Sequence, residues 1–270
     1  METLPSDLTI KPRQLNLTFN GMKPVFIENN PVKTALVCAL SAVFPQGEQQ
    51  FIKSVRHYQD EIHDPVLRQQ IRGFIGQEAH HSRLHERFNE KLIELGWRVD
   101  LIERQGAFFN RLAKLFPPQN QLAQTVALEH LTALFADYLM KHPSLLGVDP
   151  HPDLKTLFLW HAIEETEHKA VAFDVYERVV GNDKTRKTEM RLVLPLFFAH
   201  MIESTAMLVL LNPNVDKKSG WRKTWAEVFG SGGMISSMRA ELNDYFDQDF
   251  HPWQHDNLRL ASDWTKELAV

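Results

Sequence analysis

Two motifs of one type stand in this sequence, Glu78-Ala79-His80-His81 and Glu165-Thr166-Glu167-His168. On a helix, residues three apart share a face, so each Glu-x-x-His pair would aim a carboxylate and an imidazole in the same direction. Such oxygen and nitrogen donors suit a divalent transition metal. Two lone glutamates fall within apolar, helix-periodic stretches: Glu48, just before Phe51-Ile52, and Glu129, inside Thr125-Val126-Ala127-Leu128-Glu129-His130. The chain order is therefore Glu, Glu-x-x-His, Glu, Glu-x-x-His, the donor set of dinuclear carboxylate sites in four-helix bundles. Four carboxylates collected in a helical core would repel one another and be costly to desolvate. Two divalent cations would balance that charge.

A single Glu-x-x-His more often marks a solvated helix face, so the reading rests on the complete set. Several neighbours compete or contribute. His161 lies four before Glu165 and can reach the same metal from one turn earlier; the alternative is a core histidine bonded to a carbonyl. His85, four beyond His81, is either a ligand or an outer hydrogen-bond partner. His80 and His130 adjoin ligands and read as surface or outer groups. Glu164 shares the His168 face in part, but Glu165 has the better spacing, and Glu167 is expected to point to solvent. The expected metal ligands are Glu48, Glu78, His81, Glu129, His161, Glu165 and His168, with no further catalytic group.

These residues need long helices to carry them. Pro31 suits a first helical position, and an apolar run follows to Phe44. Pro45 and Gly47 predict one kinked helix or two abutting ones, ending near Asp60. Asp64-Pro65 starts the next, and Gly96 stops it. Further helices are predicted over 101–115, 121–141, 154–180, 185–211, 220–229, 234–246 and, weakly, 257–268. Residues 1–30 read as an irregular arm, with one short edge strand at Leu15–Phe19. One domain is expected over 1–270, with the metal-binding bundle in 31–182 and additional packing helices in 183–270. The aromatic segment Asp249-Phe250-His251-Pro252-Trp253 reads as tail packing, with a site role for His251 as a weaker option.

Composition fits a globular chain of 270 residues, 43% hydrophobic and 24% charged. A net charge of −4 gives no electrostatic reason to expect nucleic acid. The single cysteine, Cys38, fits a reducing cytoplasm. Leu192 to Leu211 is long enough to span a bilayer, yet it contains Pro195, His200 and Glu203. A buried bundle helix is the preferred reading, with membrane-surface contact through 192–211 as the alternative.

The donor order resembles the ferritin-like di-iron superfamily. The added His161-x-x-x-Glu165-x-x-His168 resembles the arylamine N-oxygenase branch. The segments FPQGEQQF, QEAHHSRLHERFN, ALEH, WHAIEETEHKAVAFDVY and DFHPW are similar to a bacterial family labelled predicted metal-dependent hydrolase, over about Arg13 to Trp264. The resemblance implies an all-α, ferritin-like four-helix bundle with additional N- and C-terminal helices. It also implies two iron ions, with manganese or zinc admitted by ligand type. The expected function is an oxidase or oxygenase using O2, an electron donor and a small organic substrate. A metal-activated-water hydrolase and a non-catalytic metal protein stay open as alternatives, and a homodimer is compatible with all three.

Overall fold

The computed structural model describes residues 8–270. The architecture is all-α, and no strand occurs among the described residues. Two helices start as their sequences predict. Asn30 caps α1 (Pro31–Tyr58) by accepting from the Val32 and Lys33 amides, and Asp64 caps α2 (Pro65–Glu94) through the Val66 and Leu67 amides. α3 (Val99–Ala113) and α4 (Pro118–Lys141) follow. The stretch expected as one helix over 154–180 is two. α5 (Pro152–His168) ends on its last donor residue, and α6 (Val171–Val179) resumes after a two-residue turn. α7 (Asp183–Leu211), α8 (Trp221–Phe229), α9 (Met234–Asp244) and α10 (Leu258–Leu268) complete the chain.

α1, α2, α4 and α5 bring their inner faces together, with α3 and α7 packed against α1 and α10 against α5. Two large apolar clusters and a smaller one around Met140, Leu159 and Ile163 fill the interior. Of the large ones, one is built around Phe88, Trp97, Leu157 and Trp160, the other around Phe74, Val126, Val175 and Tyr245. The tail packs as expected: Phe250 and Trp253 are buried, and His251 pairs with Asp174 at 3.1 Å, away from the donor set.

Residues 8–30 form an extended arm, without the edge strand expected at Leu15–Phe19. No neighbouring strand offers a ladder; instead the Thr18 and Phe19 amides donate to Asp153 Oδ2 on α5, at 3.0 and 2.7 Å. Phe19, Met22 and Ile27 bury their side chains in the core. Two glycines on α2 make room for the arm. A Cβ at Gly73 would overlap the Ile10 carbonyl oxygen and come within 2.7 Å of the Ile10 Cβ, and one at Gly76 would lie 2.6 Å from Pro12 Cγ. Gly73→Ala should therefore lift the arm and destabilise the protein by about 1–3 kcal/mol, despite alanine's better helix propensity. Thermal unfolding and limited proteolysis of the arm would check this, and a higher melting temperature would contradict it.

α7 departs from expectation. Only 28% of its most apolar 18-residue window is buried. One face packs on α1 and α4, while Leu192, Leu196, Ile202 and Leu210 are exposed. By length and composition α7 could cross a membrane, but its apolarity does not reflect a place inside the bundle.

Candidate metal centre

The seven expected ligands converge. Glu48 comes from α1, Glu78 and His81 from α2, Glu129 from α4, and His161, Glu165 and His168 from α5; all are buried. The Pro45-Gln46-Gly47 stretch does not break α1, so Glu48 sits on an intact helix and its Oε2 accepts from Ser82 Oγ at 2.7 Å. Glu165 Oε1 occupies the middle, 2.9 Å from His161 Nε2, 3.7 Å from His81 Nδ1 and 3.6 Å from His168 Nε2. His168 Nε2 also lies 3.0 Å from Glu78 and 3.6 Å from Glu129, and His161 Nε2 is 3.8 Å from Glu48. Donors bound to one metal at 2.0–2.2 Å lie about 3.0–3.5 Å apart, so these spacings suit shared ions.

Three donor groups could each hold an ion: Glu48 with His81 and His161, Glu78 with Glu129 and His168, and Glu78 with His81 and Glu165 between them. His161 therefore groups with Glu48 and His81, on whose ring it stacks at 4.0 Å, rather than with His168 farther along its own helix. One half is richer in nitrogen and the other in carboxylate. The atoms left without a hydrogen-bond partner are themselves informative. Both oxygens of Glu78 and Glu129, one each of Glu48 and Glu165, His81 Nδ1 and His168 Nε2 are buried with none. Buried polar atoms are normally satisfied, and a cluster of partnerless carboxylate oxygens and imidazole nitrogens suits cation binding.

Outer contacts give each imidazole an inward lone pair. His81 Nε2–H donates to Glu164 at 3.1 Å, which frees Nδ1, and His168 Nδ1–H donates to Gln77 Oε1 at 2.9 Å, which turns Nε2 inward. For His161 the assignment runs through a chain. Asn89 Nδ2 donates to Glu103 at 2.9 Å, so its Oδ1 accepts from Ser41 Oγ at 2.7 Å. The Ser41 oxygen then accepts from His85 Nδ1–H at 2.9 Å, and His85 Nε2 accepts from His161 Nδ1–H at 2.8 Å. His161 Nε2 is left facing Glu165 and Glu48. His85 thus takes the outer hydrogen-bond role and belongs to none of the three donor groups. Asn89 also approaches the Ser41 carbonyl at 3.4 Å, the acceptor that Pro45 deprives of its helical N–H.

Glu167 differs from expectation, and Glu164 and His130 gain definite surroundings. Glu167 does not reach solvent. The arm covers it, and Arg13 forks onto its two oxygens at 2.8 and 2.5 Å while Gln77 donates to it at 2.8 Å. Glu164 is buried, accepting from the Arg13 amide at 2.9 Å and Trp160 Nε1 at 3.0 Å. His130 is buried against Tyr245 and Phe250 rather than lying at the surface. Spacing on α2 and α5 gives no sign of Arg13, because the arm has no periodicity to place it.

Burial pushes the carboxyls of Glu48 and Glu129 well above the ordinary range and Glu78 above it, with neighbouring carboxylates adding to the effect. For His168, burial lowers the pKa, but Glu165 and Glu78 outweigh it and hold the ring well above the ordinary value. Raised in this way, these groups hold their protons to higher pH than ordinary carboxyls and imidazoles do, and a cation would have to displace them. Binding would therefore release protons, and affinity should rise with pH. Calorimetric titration with Mn²⁺ in two buffers of different ionisation enthalpy measures this; pH-independent affinity would contradict it.

An apolar cavity of about 220 Å³ ends on His161 and Glu165. Phe44, Phe158 and Ala162 line its inner part, and it runs between α1, α4 and α7 toward Trp221 and Trp225 on α8.

An all-helical protein with a buried set of carboxylates and imidazoles is a helical metal-dependent protein. The chain belongs to the family described as predicted metal-dependent hydrolase, whose model matches residues 11–256. Comparison with curated proteins and with solved structures gives no match.

Proposed function

We propose that the chain is a ferritin-like, dinuclear metalloenzyme that uses O2 and an external reductant to oxidise an apolar substrate. The observation carrying this reading is the meeting of two features. Glu48, Glu78, His81, Glu129, His161, Glu165 and His168 surround one space, and an apolar cavity opens onto it at His161 and Glu165. A pair of iron ions bound there would supply O2-dependent oxidation. The protein's own part is to orient and to exclude water. Ser41 and His85 fix the His161 ring, Glu164 fixes His81, and Gln77 fixes His168. Phe44 and Phe158 give the inner cavity an apolar wall.

The polar groups lining the cavity favour an apolar substrate, because most are already committed. Thr132 and Thr205 donate to carbonyls within their own helices, Thr224 accepts from Asn30, and Lys33 pairs with Glu28 and Glu227. The family's description favours a second reading, hydrolysis by metal-activated water. Metal analysis of gently purified protein, with oxygen uptake measured in the presence of a reductant, separates the two. About two irons per chain and reductant-coupled oxygen uptake support oxidation. Turnover of esters or amides without oxygen, with zinc sufficient, would overturn it in favour of hydrolysis.

A further inference from the structure

We infer that α8 and the exposed face of α7 dock on an anionic lipid surface, and that the apolar cavity receives a single acyl chain from it. The docking half stands on the surface alone. The acyl-chain half rests on the proposed reading, in which the inner end of the cavity is the reaction site.

The outward face of α7 carries Leu192, Leu196, Ile202 and Leu210 at helical spacing, all more than 40% exposed. α3 extends this face: Phe109 meets His200 of α7 at 5.4 Å, and Phe108 beside it is 54% exposed. On the opposite flank of the same stretch α7 meets α8, where Phe198 packs on Phe229 and Phe229 on Trp225. One carboxylate interrupts this face, Glu203, 51% exposed and engaged by Gln105 at 3.4 Å and His200 at 3.7 Å; an apolar surface of this extent around it still marks a binding site rather than ordinary exposure.

Charge selects the occupant. The segment Lys217-Lys218-Ser219-Gly220-Trp221-Arg222-Lys223 interleaves four cations with a tryptophan, and Trp225 follows one turn later. Among the described residues Lys217, Lys218 and Arg222 form no ion pair, whereas Lys223 pairs with Glu28. Tryptophan beside lysine and arginine is the composition of a lipid interface, and clustered cations are drawn to anionic headgroups. The α8 segment is held in place from below, since Asn30, the cap of α1, donates to Thr224 at 3.0 Å.

The cavity opens within this same surface. Ile202, Trp221 and Trp225 line it and are also exposed, so they form its mouth. Along α1 its wall runs from Val32 through Leu36 and Leu40 to Phe44, one helix face with a rise of twelve residue steps. That is about 18 Å at 1.5 Å per residue. One bilayer leaflet has a hydrocarbon thickness of about 15 Å, so the cavity matches the length of one lipid chain. A second copy of the protein seated here would seal the mouth, whereas a lipid surface would fill it.

The test uses the full chain with vesicles of phosphatidylcholine, with and without phosphatidylglycerol, and a fluorescent polyene fatty acid as the chain probe. Cosedimentation with the anionic vesicles is expected. It should weaken at least about tenfold in Lys217→Glu/Lys218→Glu and in Trp221→Ala/Trp225→Ala, with metal content unchanged. The fatty acid should bind, and Ala136→Phe, which fills the cavity wall, should abolish that binding without affecting vesicle docking. Should Ala136→Phe not fold, Leu36→Trp fills the same wall from α1. No vesicle binding, or a solution dimer that the tryptophan variants dissociate, overturns the docking. Docking without fatty-acid binding overturns the chain site. Fatty-acid binding by a protein that takes up no iron leaves the cavity assignment standing and overturns the oxidase reading instead.

Discussion

Replacing Glu129 with glutamine should lower metal affinity at least about 100-fold and, in the same protein, raise the melting temperature of the metal-free form. Most core substitutions do the opposite of the second effect. Glu129 is buried, neither of its carboxylate oxygens has a partner, and burial together with Glu78 and Glu165 holds its pKa well above the ordinary range. In the unfolded chain the same group ionises near its ordinary value. The folded, metal-free state therefore loses stability as pH rises from that value through the raised one, at about 1.4 kcal/mol for each pH unit between the two. Glutamine keeps the shape and does not titrate, so this loss disappears. It also removes the charge a cation needs. Thermal unfolding at pH 7.5 with and without Mn²⁺ should show the variant more stable than wild type when metal-free and much less stabilised by added metal. A variant that is less stable metal-free and still binds metal would show that Glu129 is an ordinary core residue.

Arg13→Ala is expected to have the second-largest effect, although Arg13 touches none of the seven proposed ligands. Its guanidinium forks onto Glu167 and reaches Glu164 at 3.3 Å, and its own amide donates to Glu164 as well. Removing one partner of a buried ion pair costs more than the pair contributes, because the other charge stays buried and uncompensated. The Arg13 side chain is 22% exposed, so the expected loss is about 2–3 kcal/mol, below that of a fully buried pair. For a chain of this size that lowers the melting temperature by roughly 5–10 °C. Glu164 orients His81 and Glu167 holds Gln77, which orients His168, so metal affinity should also fall about 10–100-fold. Arg13→Lys should restore part of the stability and little of the affinity, since an ammonium cannot fork onto a carboxylate. Unchanged affinity in both variants would show that the arm only packs.

Much of the centre was legible in the sequence because its donors lie on helices, where three- and four-residue spacings determine which side chains share a face. Glu78 with His81, and Glu165 with His168, follow from that rule alone. Their meeting with Glu48 and Glu129 was legible only through the order of the set. What spacing could not supply is which end of the centre a donor serves. His161 shares a face with His168 on α5 but turns toward His81 and Glu48, because His85 holds its other nitrogen from α2. The exposure of α7 escapes the sequence for a related reason. Hydropathy reports how apolar a helix is, not whether a neighbour covers it. Arg13 and the buried state of Glu167 were illegible because the arm has no period, and nothing local shows that it crosses α2 at Gly73 and Gly76.

The imbalance between the two halves bears on how the centre would fill. Glu48, His81 and His161 offer two imidazoles and one carboxylate, whereas Glu78, Glu129 and His168 offer the reverse. Imidazole suits iron, zinc and copper, and carboxylate suits manganese and magnesium. Two cations held this way would not be interchangeable. The donor sets at the two ends would therefore favour different cations, the His81–His161 end the softer and the Glu78–Glu129 end the harder.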